Sequence, residues 1–359
     1  MKYDVIAENS DSTVVSDYVS PYQRATSYQS EAELERELIK QLQAQAYEYL
    51  PIGNEADLIQ NLRTQLEKLN DYIFTDAEWQ RFFAERIANG NEDITDKTFK
   101  IQEDSTQLLQ CDNGEVINIR LLDKTNIHKN CLQVINQYEV SGARDNRYDV
   151  TLLVNGLPLV HIELKRRGVP LQEAFNQINR YQRDSFWAGS GLFEYVQLFV
   201  ISNGTHTKYY SNTTRWQHIN EAGKSDSHRS KKTSNSFEFT SWWADANNRP
   251  IADLIDFTAT FLSRHTLLNV LTKYCVFTSD KLLLVMRPYQ IVATERILNR
   301  IQIATNYKKL GTIEAGGYVW HTTGSGKTLT SFKTAQLASK LDYIDKVLFV
   351  VDRKDLDYQ

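Results

Sequence analysis

Residues 147–165 read RYDVTLLVNGLPLVHIELK, and this stretch determines the fold of the surrounding chain. Two apolar segments, 147–154 and 157–165, flank Asn155-Gly156, which is a strong short-range signal for a tight β-hairpin. A helix is expected to open at Pro170, and VQLFVISNGTHTKYYS at 196–211 predicts a second hairpin. Hairpins combined with a helix indicate an α/β domain.

Asp149, Glu163 and Lys165 form a candidate catalytic group within this stretch. Glu163 and Lys165 are two residues apart on a strand, so both point to one face. The spacing D-x13-E-x-K is that of the PD-(D/E)xK nucleases, in which two carboxylates hold Mg²⁺ and the lysine orients or activates the attacking water. Because the pattern is short, a solvated Glu–Lys face with an Asp near the turn remains an alternative.

The register of the hairpin tests this interpretation. A regular two-residue loop would place Asp149 opposite Ile162, so that Asp149 would face away from Glu163. We therefore predict an odd-length loop or a bulge. Gln177 and Tyr181 follow at i and i+4 of the next helix and share a face, which we expect to approach the metal site and the DNA backbone. By themselves, these two residues also fit an ordinary amphipathic helix.

A phosphate-binding loop is predicted near the other end of the chain, between an expected strand at 317–320 and a helix. The expected strand KVLFVV would complete a βαβ unit. Lys327 would reach the β- and γ-phosphates of ATP, and Thr328 would ligate Mg²⁺. His321 stands where the full pattern has its first glycine. The loop residues are Gly324, Ser325, Gly326, Lys327 and Thr328.

The segment Arg287-Pro288-Tyr289-Gln290 supports the nucleotide site. A glutamine at such a distance upstream can read the adenine edge with its amide donor and acceptor. Alone, the segment is typical of a helix start with proline at its first position. We place the domains at 1–260 and 261–359.

Other features limit the classes of function. Lys and Arg number 41 against 45 Asp and Glu, so coating of nucleic acid by bulk charge is excluded, although a local basic groove is not. Three separated cysteines without a CxxC pair indicate a reducing compartment. Neither a signal peptide nor a membrane-spanning stretch is recognisable, so we expect a cytoplasmic protein without membrane contact. The basic run at 228–232 fits a solvated loop better than a phosphate contact.

The combination resembles the R (motor and cleavage) subunit of type I restriction enzymes, and most of all their type IC branch. The resemblance extends from about residue 28 to the last residue. It rests on these motifs and on long segments: RYDVTLLVNGLPLVHIELKRRG, EAFNQINRYQR, LFVISNGT, LLVMRPYQ, YVWHTTGSGKTLTSFK and KVLFVVDRKDLDYQ.

The resemblance implies a restriction-endonuclease-like PD-(D/E)xK domain, followed by the beginning of a RecA-like superfamily 2 helicase motor domain. It implies ATP-dependent translocation and Mg²⁺-dependent cleavage of double-stranded DNA away from the recognition site. The partners would be a methyltransferase core of modification and specificity subunits. Asp149 and Glu163 match the metal ligands, Lys165 the catalytic lysine, and Gln177 and Tyr181 a Q-x3-Y element.

The resemblance also implies nucleotide contacts from Gln290 and the phosphate loop, and a further acid from the first helix. Glu31, Glu35 and Glu37 are candidates for that acid. We interpret the sequence as an N-terminal fragment that binds ATP weakly without hydrolysing it and cuts DNA poorly alone. One alternative is a DNA-repair or defence nuclease with a regulatory nucleotide-binding domain, which a methyltransferase-docking region would exclude. Another is a non-enzymatic DNA-binding scaffold, which loss of cleavage in Lys165→Ala would exclude.

Overall fold

A computed structural model describes residues 12–22, 29–141, 145–213 and 235–350. These residues form two compact units. The larger unit contains the described residues of 18–243 together with 249–285, and the smaller contains 12–17, 244–248 and 286–350. The expected domain boundary after residue 260 falls inside the larger unit. The basic run at 228–232 lies outside the described residues.

The strands of the larger unit form one central sheet and two small hairpins. They are β1 (Glu48–Tyr49), β2 (Thr106–Gln110), β3 (Val116–Arg120), β4 (Leu132–Ser141), β5 (Asp145–Val154), β6 (Leu157–Leu164), β7 (Leu198–Ser202), β8 (Thr207–Ser211), β9 (Cys275–Phe277) and β10 (Leu283–Val285). The central sheet has the order β1-β4-β5-β6-β7-β8, with β1/β4 and β6/β7 parallel and the other pairs antiparallel. The pairs β2/β3 and β9/β10 form the small hairpins.

The predicted strands around Asn155-Gly156 form the centre of this sheet. Every residue of β6 is buried, and β5 is buried from Val150 to Val154. Strands covered on both faces are apolar at nearly every position, which explains the continuous apolar run in the sequence. The predicted second hairpin is β7–β8, and its connection covers 203–206. The prediction of a mixed α/β fold is confirmed.

The helices of the larger unit begin and end at recognisable local signals. Ser30 and Glu33 form a capping box at the start of the first helix. The left-handed backbone of Asp71 (φ 52°) ends the second helix, and Ser263 caps the last one. The helices are α1 (Glu31–Ala44), α2 (Glu55–Asn70), α3 (Asp76–Phe82), α4 (Ile94–Gln102), α5 (Leu171–Asp184), α6 (Leu254–Thr260) and α7 (Arg264–Thr272).

The smaller unit contains two long helices, α8 (Pro288–Asn306) and α9 (Lys327–Ala338). They meet at Thr294 and Thr334, whose hydroxyls are 3.2 Å apart. Helix α8 begins at Pro288 as predicted, and α9 begins at Lys327, two residues before the predicted start at Leu329.

The two strands predicted on either side of α9 are wrong for the residues that the structure describes. Residues 317–320 and 346–350 are not in strands, and Tyr318, Trp320 and Leu348 are 90%, 88% and 86% exposed. An apolar run predicts burial, but a strand also needs a hydrogen-bonded neighbour. Neither segment has a strand neighbour in the described chain. In the same ranges, no helix is long and apolar enough to cross a membrane.

Candidate functional site

A bulge in the β5–β6 hairpin sets the geometry of the candidate nuclease site. Val154 pairs with Leu157, so Asn155 and Gly156 form a two-residue loop with positive φ angles of 51° and 82°. The pairing then shifts from Leu153↔Pro158 to Leu152↔Val160, which leaves Leu159 as an extra residue. The predicted bulge is therefore confirmed. Beyond it, Val150 pairs with Ile162, and the same register places Asp149 opposite Glu163.

The bulge brings the two carboxyl groups to one face of the sheet. Each carboxyl group shifts the pKa of the other, and Asp149 Oδ2 accepts a hydrogen bond of 2.8 Å from the Leu164 amide. Lys165 Nζ donates to Glu163 Oε1 over 3.1 Å and to the Leu164 carbonyl over 3.0 Å. The predicted group of Asp149, Glu163 and Lys165 is thus assembled in space. Its catalytic role stays a prediction.

Burial dominates the electrostatics of this pair. It raises the pKa of Asp149, and the charge of Glu163 raises that pKa further. Burial also raises the pKa of Glu163, while the Lys165 ammonium opposes the shift. Without a cation, the pair therefore favours retention of a proton near neutral pH. A divalent cation would replace that proton and permit both groups to ionise.

The donor set fits Mg²⁺ or Mn²⁺ with few protein ligands. Glu163 Oε2 is buried and has no hydrogen-bond partner among the described residues, so a cation would satisfy it. In that same part of the chain, no group of three or more His, Cys, Asp and Glu is arranged for metal binding. Mg²⁺ is commonly held by one or two carboxylates while it retains several waters. Asp149 and Glu163 can supply such a site.

The three candidate acids of α1 have different surroundings. Glu35 accepts hydrogen bonds from the side chains of Asn136 and Gln137 on β4. Glu37 accepts one from Gln29. Glu31 accepts a bond of 3.3 Å from the Arg166 amide, and its charge raises the pKa of Glu163. Of these three acids, Glu31 is the one whose charge acts on the carboxyl pair.

Gln177 and Tyr181 lie on the predicted common face of α5. The Gln177 amide donates to the Tyr181 hydroxyl, which donates to the carbonyl of Arg147 over 2.9 Å. Burial and then the charge of Glu163 raise the pKa of Tyr181. These contacts place Tyr181 within the electrostatic reach of Glu163. The hydrogen bond from Tyr181 also connects α5 to Arg147 on β5, two residues before Asp149.

The phosphate loop has the backbone that its glycines predict. Gly324 and Gly326 have φ angles of 77° and 78°, which glycine adopts without steric cost. Helix α9 begins at Lys327, so its first amides lie next to the loop. The Lys327 ammonium is 3.2 Å from the carbonyl oxygens of His321 and Thr322. A curled backbone, a helix N-terminus and a nearby lysine fit a phosphate group.

Gln290 contacts this loop directly. Its Oε1 accepts a hydrogen bond of 2.8 Å from the Arg287 amide, and its Nε2 donates to the Ser325 carbonyl over 2.9 Å. Tyr289 also donates to that carbonyl, over 2.8 Å. The amide of Gln290 is therefore bonded on both sides by protein groups. Its predicted reading of adenine remains a prediction.

Gln137 on β4 is a feature of the site that the sequence motifs did not indicate. The β4–β5 pairing passes from Asn136↔Val150 to Tyr138↔Tyr148 and omits Gln137, which lies opposite Asp149 and has a left-handed backbone (φ 52°). Its amide is held by Glu35. Backbone strain of this kind clusters at functional sites. Two adjacent polar residues, Asn136 and Gln137, inside an apolar strand are the signal that could have shown it.

Comparison with known proteins agrees with the division of the chain. Residues 28–218 match the family of the type I restriction enzyme R protein N terminus. Residues 289–359 match the SWI2/SNF2 ATPase family.

Several relatives cover most of the chain. The type I restriction enzyme EcoprrI endonuclease subunit of Escherichia coli is 49% identical over 306 residues, which are 85% of this chain and 93% of that protein. The SsaAORF53P endonuclease subunit of Staphylococcus saprophyticus is 40% identical over 338 residues, which are 92% of this chain but 33% of that protein. The chain thus spans about a third of the staphylococcal relative.

A shorter match adds to this agreement. A putative MpnIIP endonuclease subunit, C-terminal part, from Mycoplasma pneumoniae is 58% identical over 118 residues, which are 33% of this chain and 57% of that protein. Because the R-protein family matches more than half of the chain and the E. coli relative is matched over nearly its whole length, the chain belongs to the family of type I restriction enzyme endonuclease subunits.

Proposed function

We propose that this chain supplies the DNA-cleaving centre and the first part of the ATP-driven motor of a type I restriction-modification enzyme. The observation that carries the proposal is the bulge at Leu159, which places Asp149 opposite Glu163 with Lys165 bonded to Glu163. A purely structural Glu–Lys face would not require a second carboxyl group, that of Asp149, opposite the buried Glu163.

For cleavage, Asp149 and Glu163 would hold Mg²⁺, and Lys165 would act beside them. The bound cation would neutralise charge on the scissile phosphate and make water a stronger nucleophile. Lys165 already donates to Glu163, so its ammonium is positioned to orient a water or to stabilise negative charge on the phosphate. The Gln177–Tyr181 pair would hold the start of β5 through the Arg147 carbonyl. Glu31 is the candidate for a further acid at this site.

For the motor, the loop at 324–328 would bind the phosphates of ATP. The Lys327 ammonium would leave the carbonyls of His321 and Thr322 for phosphate oxygens, and Thr328 would contact the nucleotide's Mg²⁺. Gln290 bonds the Ser325 carbonyl, so it would sense any movement of the loop on nucleotide binding. A RecA-like domain would build on α8 and α9.

The partners and location follow from the same proposal. Double-stranded DNA is the substrate, and a methyltransferase core of modification and specificity subunits selects the DNA sequence. The printed names of the relatives describe endonuclease subunits of type I restriction enzymes, which supports a multi-subunit assembly. We place the assembly in the cytoplasm, where cellular DNA is methylated and foreign DNA enters.

Manganese binding tests the cleavage centre without DNA. Mn²⁺ anomalous diffraction from crystals of this chain should give a peak that touches both Asp149 and Glu163. Asp149→Asn should remove the peak. Asp145→Asn is the matched control, because Asp145 is on the same strand and exposed, so the peak should remain. A peak elsewhere, or one that survives Asp149→Asn, would contradict the proposed metal site.

Gly326→Ala tests the phosphate loop. A Cβ at Gly326 would collide with Gln290 Nε2, whereas one at Gly324 would meet nothing within 4 Å. Both glycines have positive φ, so alanine costs about 1–2 kcal/mol of backbone strain at either position. We expect Gly326→Ala to weaken ATP binding at least about tenfold more than Gly324→Ala, since a further 1.4 kcal/mol is tenfold. Binding of a fluorescent ATP analogue measures this, and equal losses would show that the close approach is unimportant.

A further inference from the structure

His161 occupies a buried position beside the candidate metal ligands. It is two residues before Glu163 on β6, so both side chains point to one face of the sheet. The ring is 0% exposed. Its Nε2 is 3.4 Å from Glu163 Oε2, within the range of an ion pair, and neither atom makes a hydrogen bond to any of the described residues. Buried polar atoms need partners, so the approach of these two atoms indicates a pairing.

The other ring nitrogen is fixed by the neighbouring strand. Thr151 pairs directly with His161 across β5 and β6, and its Oγ1 is 3.2 Å from His161 Nδ1. If the threonine hydroxyl donates to Nδ1, the ring proton lies on Nε2 and points at the Glu163 carboxylate. When Glu163 is ionised, as a bound cation would make it, the opposite arrangement would direct a nitrogen lone pair at a carboxylate oxygen, which is repulsive. In that state the surroundings of the ring select the Nε2–H tautomer.

Aromatic rings keep the imidazole in this orientation. Tyr148, Tyr181, Phe186 and Phe199 surround it, with ring centroids 5.5, 6.0, 5.8 and 6.4 Å away. All four contacts are edge-on, so rotation of the ring would require repacking of this group. The ring cannot easily exchange the partners of its two nitrogens.

We infer that His161 is a positioning residue for the nuclease metal site, in which Thr151 orients the imidazole and the imidazole orients the Glu163 carboxylate. Glu163 Oε1 accepts a hydrogen bond from Lys165, and His161 Nε2 stands 3.4 Å from Oε2, so each oxygen of the carboxyl group faces a different side chain. Its remaining lone pairs stay available for a cation shared with Asp149. Outer partners of this kind typically change metal affinity by about 10–100-fold when removed. The inference rests on the proposed metal-dependent cleavage.

Three variants separate this role from simple packing. His161→Leu removes the donor but keeps an apolar side chain, His161→Gln keeps an amide N–H near the position of Nε2, and Thr151→Val removes only the hydroxyl. We expect His161→Leu to weaken Mn²⁺ binding to the chain by about 10–100-fold. His161→Gln should restore affinity to within about threefold of the original protein, and Thr151→Val should lie between them. Isothermal titration measures affinity, and urea unfolding monitors the fold of each variant.

Rescue by glutamine but not leucine supports positioning. Equal Mn²⁺ affinity in His161→Leu and the original protein would overturn it, as would equal losses in the leucine and glutamine variants. If His161→Leu does not fold, ¹⁵N NMR of histidine-labelled protein with bound Mg²⁺, in which Glu163 is ionised, still decides. In the original protein, we expect the ring proton on Nε2. In Thr151→Val, we expect that proton to leave Nε2 or to move to Nδ1. A proton on Nδ1 in the original protein would overturn the inference. Absence of any Mn²⁺ binding by the original protein would instead refute the proposed metal site.

Discussion

Lys165→Ala should reduce double-strand cleavage by about 10²- to 10⁴-fold while Mn²⁺ binding at Asp149 and Glu163 persists. The ammonium of Lys165 is bonded to Glu163 Oε1 and to the Leu164 carbonyl, so it lies beside the proposed metal ligands without being one of them. Its removal takes away the group that orients water or stabilises charge on the phosphate. Cleavage is measured with the R subunit assembled with its modification and specificity subunits, in the presence of ATP and Mg²⁺.

Arg166→Ala is the control for the loss of one positive charge. Arg166 is the next residue, and its side chain is exposed. We expect this variant to weaken DNA binding at most modestly, since an exposed charge contributes little, and to leave the cleavage rate of bound DNA unchanged. Loss of Mn²⁺ binding in Lys165→Ala would show that the lysine holds the site together. Undiminished cleavage would refute its proposed role.

Asp149→Asn should make the metal-free protein more stable at pH 8 and abolish its response to Mn²⁺. Burial, with the charge of Glu163, raises the pKa of Asp149 to about 8 from an ordinary value of 3.8. Between these values the folded state binds the proton more tightly than the unfolded state. The free energy of unfolding therefore falls as pH rises from about 4 to about 8. Asparagine stays neutral and escapes this loss.

The expected gain at pH 8 is about 1–3 kcal/mol, since each pKa unit corresponds to about 1.4 kcal/mol and the shift belongs to a coupled pair. At pH 4 the two proteins should be nearly equally stable. Added Mn²⁺ should stabilise the original protein and leave Asp149→Asn unchanged. Urea unfolding at pH 4 and pH 8, with EDTA or Mn²⁺, measures all four conditions. Asp145→Asn, with its exposed side chain, should behave like the original protein. Equal stability of Asp149→Asn and the original protein at pH 8 would refute the buried-charge cost.

The hairpin shows how far sequence can predict a site. A two-residue Asn155-Gly156 loop and the need for Asp149 and Glu163 to share a face together require an irregularity between them. Counting residues therefore predicted the bulge, although not its place at Leu159. The position of a bulge depends on how neighbouring side chains pack, and that information is not local.

Other parts of the site depend on contacts between distant segments. Glu31 and Glu35 differ in the strand that each side chain meets. Glu35 is held by Asn136 and Gln137, which lie about a hundred positions away in the sequence. His161 is buried and lies within hydrogen-bond distance of Thr151. Its pairing with Thr151 required the register of β5 against β6. The strands predicted at 317–320 and 346–350 are absent because an apolar sequence pattern indicates hydrophobicity but does not show whether a partner strand is present.

Because of the extra residue at Leu159, the geometry of the proposed cleavage centre depends on the number of residues in the hairpin. Side chains alternate along a strand, so adding or removing one residue between Asp149 and Glu163 changes the parity of their separation. A relative that keeps Asp, Glu and Lys but is one residue shorter in this hairpin would direct its two acids to opposite sides of the sheet. We expect such a relative, with a hairpin one residue shorter, to be inactive as a nuclease even though it keeps all three residues. Activity in this family should therefore be judged from the spacing of the acids as well as from their presence.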